Sequence, residues 1–324
     1  MRVRTIFLQV IIGVLLLIAL LEIAGVRDVF NKISSANPAY LSLSALFFIL
    51  ASLCVAIALY VPLKIENRNV DFVKVIFSSF GGQLVSDLTP ARTGYFITPL
   101  ILETYCNVNF SSAFFAVIVT GFLNSLLKSS LSFFSLLYFG STVKISSESL
   151  RLMATSAVIL FILGALLLLM FKTSYFTFIL EKLPKTSITR FLTESIGTLS
   201  FRKDVFMKSI LPVSFLLLLS ILLNSIALKF VLLSIGVEKI LQLDLFLIVP
   251  LISSLTYIPL TIAGMGVQEG GFILFLSIYG IPASSAMAFS ILTRALFTGT
   301  DVIGLPILLL AAGKPLKRAF LKLG

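Results

Sequence analysis

Six segments of this chain are long and apolar enough to cross a lipid bilayer as helices. A helix needs about 20 apolar residues to span the hydrocarbon, and the segments that meet this need are 5–25, 40–63, 110–139, 151–172, 209–235 and 283–312. Of the 324 residues, 58% are hydrophobic and 12% are charged, whereas a soluble domain carries about 25% charged residues. The sequence therefore predicts an all-α polytopic membrane protein, with one integral membrane domain over residues 1–324.

Two further apolar segments, 75–103 and 244–280, contain residues that interrupt helices. The first holds Gly81, Gly82, Asp87, Pro90, Arg92 and Gly94, and the second includes PLTIAGMGVQEGG at 259–271. Lipid tolerates irregular backbone and unpaired charge only where protein or a water-filled cavity surrounds them. These segments predict a polar site inside the membrane, built from broken or re-entrant helices. The chain then has six full spans with two broken elements, or eight spans if 244–262 and 267–280 both cross.

The distribution of basic residues predicts the orientation in the membrane. With the N-terminus inside, the inner loops hold sixteen Lys and Arg and the outer loops hold five. Basic residues favour the cytoplasmic side, so we expect a multi-pass protein of the cell membrane with both termini cytoplasmic. The first apolar run follows Arg2 and Arg4 like a signal peptide, but no small-residue cleavage site follows it. We expect it to be a retained helix.

The composition excludes several classes of function. The net charge is +11, but because most basic residues lie between apolar spans, topology and anionic lipids explain the charge better than nucleic acid does. The basic segment 173–208 is expected on the inner surface, as an amphipathic element or as a solvated loop. The chain has no His, which excludes His-based catalysis and most zinc sites. We expect no cofactor and no metal, and expect Cys54 and Cys106 to be unpaired.

Two parts of the chain resemble each other at an offset of 173 residues. NFSSAFFA at 109–116 matches PASSAMAF at 282–289, and each copy follows a broken apolar segment. Three crossings lie between the copies, so the second enters the membrane from the opposite side. This predicts an inverted repeat of about 75–139 and 244–312, as in transporters whose sites form where broken helices meet. At this offset Lys128 corresponds to Asp301, and a buried Lys128–Asp301 ion pair is one hypothesis.

The interrupted segments resemble the lysylphosphatidylglycerol synthase transmembrane region, a flippase-like family. PARTG at 90–94 is similar to its Pro-Gly-Arg-x-Gly-Glu element. Residues 259–271, LSIYGIP at 276–282 and SILTR at 290–294 resemble its second signature: Pro, Gly-x-Gly-x-x-Glu, a Gly-Ile-Pro turn and an Arg in the last helix. The resemblance covers nearly the whole chain. It implies lipid translocation or an undefined membrane role.

The chain departs from the family pattern in its first half. Tyr95 stands where the family has Glu, and the acidic residue of the following helix is replaced around Gly121–Asn124. The first half-site is therefore expected to be altered. The chain ends at Gly324 without the aminoacyl-transferase domain of the multiple peptide resistance factors, so the resemblance does not imply lipid aminoacylation.

The candidate binding residues are the polar and glycine residues of the interrupted helices. They are Arg294, Arg92, Glu269, Gly264, Gly266, Gly270, Ser290, Asp301, Lys128 and Asn124. Charges at mid-bilayer cost about 2.5–3.5 kcal/mol each when unpaired, so these side chains must pair or line a polar cavity. Arg294 is either a phosphate ligand, since guanidinium binds phosphate oxygens in bidentate fashion, or the partner of Glu269 or Asp301.

The other candidates also have two interpretations. Arg92 is expected to bind a headgroup phosphate or to pair with Asp87. Glu269 is expected to cap a half-helix, to pair with Arg294, or to act as a protonatable group. Gly264, Gly266 and Gly270 either let helix N-terminal amides receive an anion or permit close helix packing. Asn124 and Lys128 form a polar stripe.

These residues favour a transporter that binds and translocates an anionic lipid, such as a phospholipid or a polyprenyl-phosphate-linked species. The alternatives are an ion- or proton-coupled carrier of a small anion and a non-catalytic scaffold for a separate lipid-modifying enzyme. The expected partner is an anionic membrane lipid; a homo-oligomer is possible, and nucleic acid is not expected. The sequence contains no nucleophile motif and no paired acidic motif of the kind that would predict an enzyme.

Overall fold

The structure, a computed structural model, describes residues 3–142 and 202–311 apart from 68, 90–91, 258–260 and 263, together with separate residues between 151 and 165. The regular elements of this described part are helices. They are α1 (Val3–Ala24), α2 (Val26–Ser34), α3 (Pro38–Glu66), α4 (Phe72–Asp87), α5 (Thr98–Tyr105), α6 (Phe110–Thr142), α7 (Lys203–Ser234), α8 (Gln242–Leu255), α9 (Val267–Ile278), α10 (Ala283–Asp301) and α11 (Leu305–Ala311). Short 3-10 turns occupy Thr93–Ile97 and Val302–Gly304. The prediction of an all-α membrane protein is confirmed.

Five helical segments of the described part are long and apolar enough to span a membrane. They are Phe7–Ala24, Pro38–Glu66, Phe110–Ser141, Lys203–Ser234 and Ala283–Leu310. Each corresponds to a predicted span. The sixth predicted span, 151–172, lies largely outside the described residues, as does the basic segment from 173 to 201. The structure begins α7 at Lys203, within the segment predicted as a loop to 208, because Asp204 in its first turn suits a helix N-terminus.

Both segments predicted to be broken are broken, the first after Asp87 and the second between Leu255 and Val267. The predicted interruption at Gly81 and Gly82 is wrong, because both lie within α4, where the lack of a side chain admits Gly304 and Thr98. Helix α4 ends at Asp87, and Arg92 adopts a left-handed conformation with φ 56° before the 3-10 turn. In the second segment α8 ends at Leu255, and Gly264 and Gly266 have φ of 70° and 81° before α9 begins. Since an L-residue with a side chain rarely adopts such angles, glycine at these two positions permits the irregular path that leads into α9.

Two features of the helices differ from the sequence prediction. The short helix α2, set off from α1 by Gly25 with φ 82°, was not predicted. Its Val29 is buried in a cluster with Met287 and Ala288 of α10, and Ile33 packs against the same cluster. The segment 283–312 was predicted as one helix, but a 3-10 turn at Val302–Gly304 interrupts it where Gly304 packs against α4.

Serine hydroxyls join the long helices across the interior. Ser44 on α3 donates to the carbonyl oxygen of Ala227 on α7 at 3.0 Å, and Ser135 on α6 donates to that of Leu247 on α8 at 2.6 Å. Small polar residues allow such close helix approach in a membrane, where the hydrophobic effect between helices is weak. At the N-terminus of α7, Arg202 pairs with Glu66 at the end of α3.

Aromatic side chains fill the core beside the broken elements. Phe139 and Phe275 meet edge to face at 5.8 Å between ring centroids, and Phe272 and Phe289 do so at 5.1 Å. Such contacts stabilise by about 0.5–1.5 kcal/mol beyond the buried area. Helices α6, α9 and α10 are therefore fixed relative to one another around the interrupted segment. Cys54 and Cys106 are buried and free, as predicted.

Candidate functional site

A cavity of about 400 Å³, lined by both charged and apolar side chains, lies among the helices. Its wall includes residues of α3, α4, α6, α7, α8, α9 and α10 and of the turn after α4. This volume falls within the roughly 300–1,000 Å³ of small-molecule sites. The two broken segments predicted to form an intramembrane site thus both contribute to one cavity.

Three cationic side chains from three different elements line this cavity. They are Arg92 in the turn after α4, Lys128 in α6 and Arg294 in α10. Among the described lining residues the acidic side chain is that of Asp87. The lining therefore carries an excess of positive charge, and the sequence-predicted residues Arg92, Lys128, Arg294 and Asn124 are brought together.

Arg294 is held by a network built on the start of α9. Its Nε donates to Oε1 of Glu269, and its Nη2 donates to the side-chain oxygen of Gln268 at 3.2 Å and to the carbonyl oxygen of Gly264 at 3.4 Å. The other Glu269 oxygen, Oε2, accepts from the amide of Gly266 at 2.7 Å. Glu269 therefore both caps α9 and pairs with Arg294, two of the roles that the sequence predicted for it.

The pair is asymmetric in its exposure. The Glu269 side chain is 1% exposed, whereas that of Arg294 is 26% exposed. The carboxylate is thus sealed within the protein, while the guanidinium keeps one side on the cavity. Since the Gly266 amide is occupied by Glu269, it is not open to an external anion in this arrangement.

Arg92 is fixed in a similar way by α4. Its Nη2 donates to Oδ1 of Asp87, and its guanidinium carbon lies 5.6 Å from the centroid of the Phe297 ring. The carbonyl oxygen of Arg92 accepts from the Ser86 hydroxyl at 3.0 Å. The predicted pairing of Arg92 with Asp87 is confirmed, and the turn holds the guanidinium at the cavity wall.

Lys128 differs from the two arginines. It has no ion pair or hydrogen bond with any residue in the part of the chain that the structure describes. The hypothesis of a Lys128–Asp301 ion pair is therefore wrong. The reason is geometric: Lys128 lines the cavity, whereas Asp301 is fully buried behind its wall, where α10 ends against α4.

The remaining predicted residues lie behind the cavity rather than on it. Gly266 contacts α1, since a Cβ there would lie 2.5 Å from the Cβ of Leu16. A Cβ on Gly264 would lie 2.9 Å from the Cα of Thr256. A Cβ on Gly270 would have Leu20 as its nearest neighbour, at 3.9 Å. Close packing is thus what the structure shows for Gly264 and Gly266. Ser290 is buried, and its hydroxyl has no hydrogen-bond partner among the described residues.

Several lining residues were not singled out from the sequence. They are Gln83, Thr120, Ser220, Asn224 and Gln268. Asn224 carried a usable signal, because an amide in the middle of an apolar span must find a polar surrounding. Tyr95, which stands where the family pattern has Glu, lines the cavity, and its hydroxyl is buried without a hydrogen-bond partner among the described residues. Among those residues no three His, Cys, Asp or Glu side chains cluster as metal ligands.

The fold and the cavity define a class of protein: a helical membrane protein whose interrupted helices surround a cationic cavity. Comparison with known sequences then identifies the family. The sequence profile of the lysylphosphatidylglycerol synthase transmembrane region matches residues 6–302. The chain belongs to this family. The suspected resemblance is confirmed, and the match includes both interrupted segments and the cavity.

The chain is also similar to a curated membrane protein of the UPF0104 group from Pyrococcus horikoshii. The two are 34% identical over 121 residues, which make up 36% of this chain and 36% of that protein. The chain therefore spans about a third of the length of this relative, whose name states only that it is a membrane protein.

Proposed function

We propose that this protein binds the phosphate-bearing headgroup of an anionic lipid in the cationic cavity and moves it across the membrane. The observation that carries the proposal is Lys128, a cation that faces the cavity without a counterion among the described residues. An uncompensated charge in a membrane costs about 2.5–3.5 kcal/mol. A bound phosphate lowers that cost by supplying the missing negative charge.

Arg92 and Arg294 add hydrogen bonds to the proposed phosphate site. Each is compensated by a carboxylate, Arg92 by Asp87 and Arg294 by Glu269. Their guanidinium groups keep donors on the cavity side, where they add hydrogen bonds to a phosphate that Lys128 attracts. The fixed guanidinium positions define where the phosphate lies.

The walls of the cavity suit a lipid better than a free ion. Beside the polar residues they carry large apolar side chains, among them Phe48, Phe96, Leu217, Ile252 and Phe297. These give apolar contact next to the charged groups, as the glycerol and first acyl carbons of a lipid require. A small hydrated anion makes no use of this surface.

The movement across the membrane is assigned to the two broken segments. Each follows the order of a helix, a turn with positive φ, a short helix and a long helix: α4, Arg92, α5 and α6 in one, and α8, Gly264–Gly266, α9 and α10 in the other. We propose that the two segments are the inverted repeats, and that tilting one against the other opens the cavity to each leaflet in turn. We propose that the protein lies in the cell membrane with both termini cytoplasmic and that it catalyses no reaction.

The binding step is tested by measuring the lipids that the detergent-purified protein retains. Mass spectrometry compares wild type with Lys128→Gln and with Lys239→Gln, an exposed lysine outside the cavity lining. A hydrogen bond to a charged group contributes about 1.5–3 kcal/mol, so Lys128→Gln is expected to lower retention of one anionic lipid class by roughly tenfold or more. Lys128→Arg is expected to keep it.

The transport step is tested in vesicles of phosphatidylcholine that contain fluorescent phosphatidylglycerol. Dithionite quenching reports how fast the labelled lipid reaches the outer leaflet. Faster quenching with wild type than with Lys128→Gln supports translocation. Equal retention in all variants, with no selected lipid class, overturns the lipid site and favours a carrier of a small anion. Retention without movement overturns translocation and favours a scaffold for a separate enzyme.

A further inference from the structure

Two carboxyl residues meet where two helices end. Asp87 is the last residue of α4, and Asp301 is the last residue of α10. The 3-10 turn after Asp301 packs directly on α4, since a Cβ on Gly304 would lie 2.0 Å from the amide nitrogen of Gly81. This backbone contact holds the two helix ends together. Asp301 is 0% exposed.

The hydrogen bonds of these two carboxyls are incomplete. Asp87 Oδ1 accepts from Arg92, but Asp87 Oδ2 and both oxygens of Asp301 are buried and have no donor among the described residues. The carboxyl that lies within hydrogen-bond contact of Asp301 is that of Asp87. An ionised carboxyl only accepts hydrogen bonds. If both were ionised, two acceptors would face each other in an apolar setting, which is unfavourable by charge and by desolvation.

We propose that Asp87 and Asp301 share one proton and form a proton-binding site in the wall of the cavity. With the proton bound, one carboxyl donates to the other, so the contact becomes an O–H···O hydrogen bond. The pair then carries one negative charge, and Arg92 balances it. A group of two carboxyls, one proton and one guanidinium is electrically neutral, as burial in a membrane requires.

The charged and titratable groups around the pair come from three elements. Arg92 in the turn after α4 acts on both carboxyls, while Lys128 from α6 and Tyr257 after α8 act on Arg92. Asp87 lines the cavity and Asp301 does not. The proton therefore reaches Asp301 through Asp87, from whatever water or ligand occupies the cavity.

The site has a consequence for Arg92. Asp87, which shares the proton, also pairs with the Arg92 guanidinium. Loss of the proton therefore strengthens this ion pair, and uptake of the proton weakens it. This consequence rests on the proposed function, in which Arg92 contacts the lipid phosphate. The proton site itself does not depend on what the cavity binds.

The test is infrared spectroscopy of the full-length protein in detergent at neutral pH, where a protonated carboxyl has its own carbonyl band. Wild type is compared with Asp301→Asn and with Asp244→Asn. Asp244 is a matched control because it is also buried but accepts from the Tyr138 hydroxyl at 3.0 Å. The melting temperature of Asp301→Asn is also measured. An amide can donate to Asp87 Oδ2 as the protonated acid would, so this variant tests whether the contact is an O–H···O hydrogen bond.

We expect the protonated-carboxyl band in wild type and in Asp244→Asn, its loss in Asp301→Asn, and a melting temperature of Asp301→Asn close to that of wild type. A band that is absent from wild type, or that persists in Asp301→Asn, overturns the proposal. No band together with stabilisation by sodium chloride but not by choline chloride also overturns it and makes the pair a sodium site. If wild type shows the band but retains no anionic lipid class selectively, the proposed function alone is overturned.

Discussion

Glu269 binds Arg294 with one carboxylate oxygen and the first turn of its own helix with the other. The Arg294 guanidinium donates to Oε1, and the Gly266 amide donates to Oε2. One buried carboxylate thus ends the irregular segment, starts α9 and fixes a cation of the cavity wall. The conformation of the break and the position of the charge depend on the same group.

Removing either side chain of this pair is expected to destabilise the fold. Breaking a buried ion pair costs about 3–5 kcal/mol, and the partial exposure of Arg294 places Arg294→Gln near the lower end, at about 3 kcal/mol. The chain has no Trp, so unfolding is followed by the reaction of the buried thiols of Cys54 and Cys106 with a fluorescent reagent on heating. The double variant with Glu269→Gln is expected to lose less than the sum of the single variants; additive losses would show that the pair is not coupled.

Gly266 is expected to be intolerant of any side chain for two separable reasons. Its φ is 81°, and a Cβ would lie 2.5 Å from the Cβ of Leu16. With φ 81° and ψ −40° Gly266 lies in a sparsely populated region, which costs an L-residue about 1–3 kcal/mol, and forced overpacking costs about 1–3 kcal/mol more. Gly236→Ala shows the cost of a positive φ without a steric contact, because Gly236 has φ 79° and no atom within 4 Å of the added Cβ.

Gly270→Ala is the second control for this position, since its nearest neighbour lies at 3.9 Å and it is helical. Thermal unfolding should rank the three variants with Gly266→Ala the least stable, Gly236→Ala intermediate and Gly270→Ala equal to wild type or above it. Equal loss in Gly266→Ala and Gly236→Ala would mean that α1 does not pack on Gly266 in the membrane.

Gly304→Ala is expected to separate α4 from the end of α10. The added Cβ would lie 2.0 Å from the Gly81 nitrogen and 2.3 Å from the Phe80 carbonyl carbon. These are backbone atoms, so no side-chain rotation relieves the clash. Gly299→Ala, five residues away with no atom within 4 Å, is expected to fold and to gain up to about 1 kcal/mol in helix stability. Folded yield on size-exclusion chromatography compares the two; similar yields would contradict the contact.

Lys128 and Asp301 are expected to be only weakly coupled in their effects on stability. They form no ion pair and share only the charge of Arg92 as a neighbour, so the coupling of Lys128→Gln with Asp301→Asn in the free energy of unfolding should be smaller than that of Asp87→Asn with Asp301→Asn. A second double-mutant cycle with Asp87→Asn and Asp301→Asn is the comparison. It is expected to show coupling, since those two carboxyls face each other. A large coupling between Lys128 and Asp301 would restore the ion pair that the sequence repeat predicted.

The orientation inferred from the basic residues is tested with single cysteines. In a background of Cys54→Ala and Cys106→Ala, Asn69→Cys is expected to react only with a membrane-permeant thiol reagent on intact cells. Lys239→Cys, in a loop predicted to be outside, is expected to react with an impermeant one as well. The reverse pattern would show that the predicted topology is inverted.

The helices and their interruptions were predictable because they follow from local chemistry. Long apolar runs must be helical in lipid, since every backbone group has to be satisfied within the segment. Gly264 and Gly266 permit the irregular backbone before α9 because of their own conformational freedom. Glu269, three residues after Gly266, carries the spacing of a helix cap in the sequence itself. The short helix α2 was missed although Val26, Val29, Phe30 and Ile33 have helical spacing, because the charged segment between two apolar spans was interpreted as a loop.

The pairing of charges was less predictable because it depends on distances between helices. The repeat placed Lys128 opposite Asp301, but a sequence offset gives correspondence within a fold and not contact. Arg92 and Asp87 are only five residues apart, so their ion pair could be expected from the turn between them.

By itself, the sequence determined the class of protein, the positions of the breaks and the residues that had to find polar partners, because each is a property of a short segment in an apolar solvent. Tertiary structure alone decided which charges are compensated. Glu269 is sealed beneath Arg294, Asp301 faces Asp87, and Lys128 is left on the cavity. The physical reason is that α4, α6, α9 and α10 meet through glycine and aromatic contacts far apart in the chain. A displacement of a few ångströms between helices is enough to change which acid a base can reach.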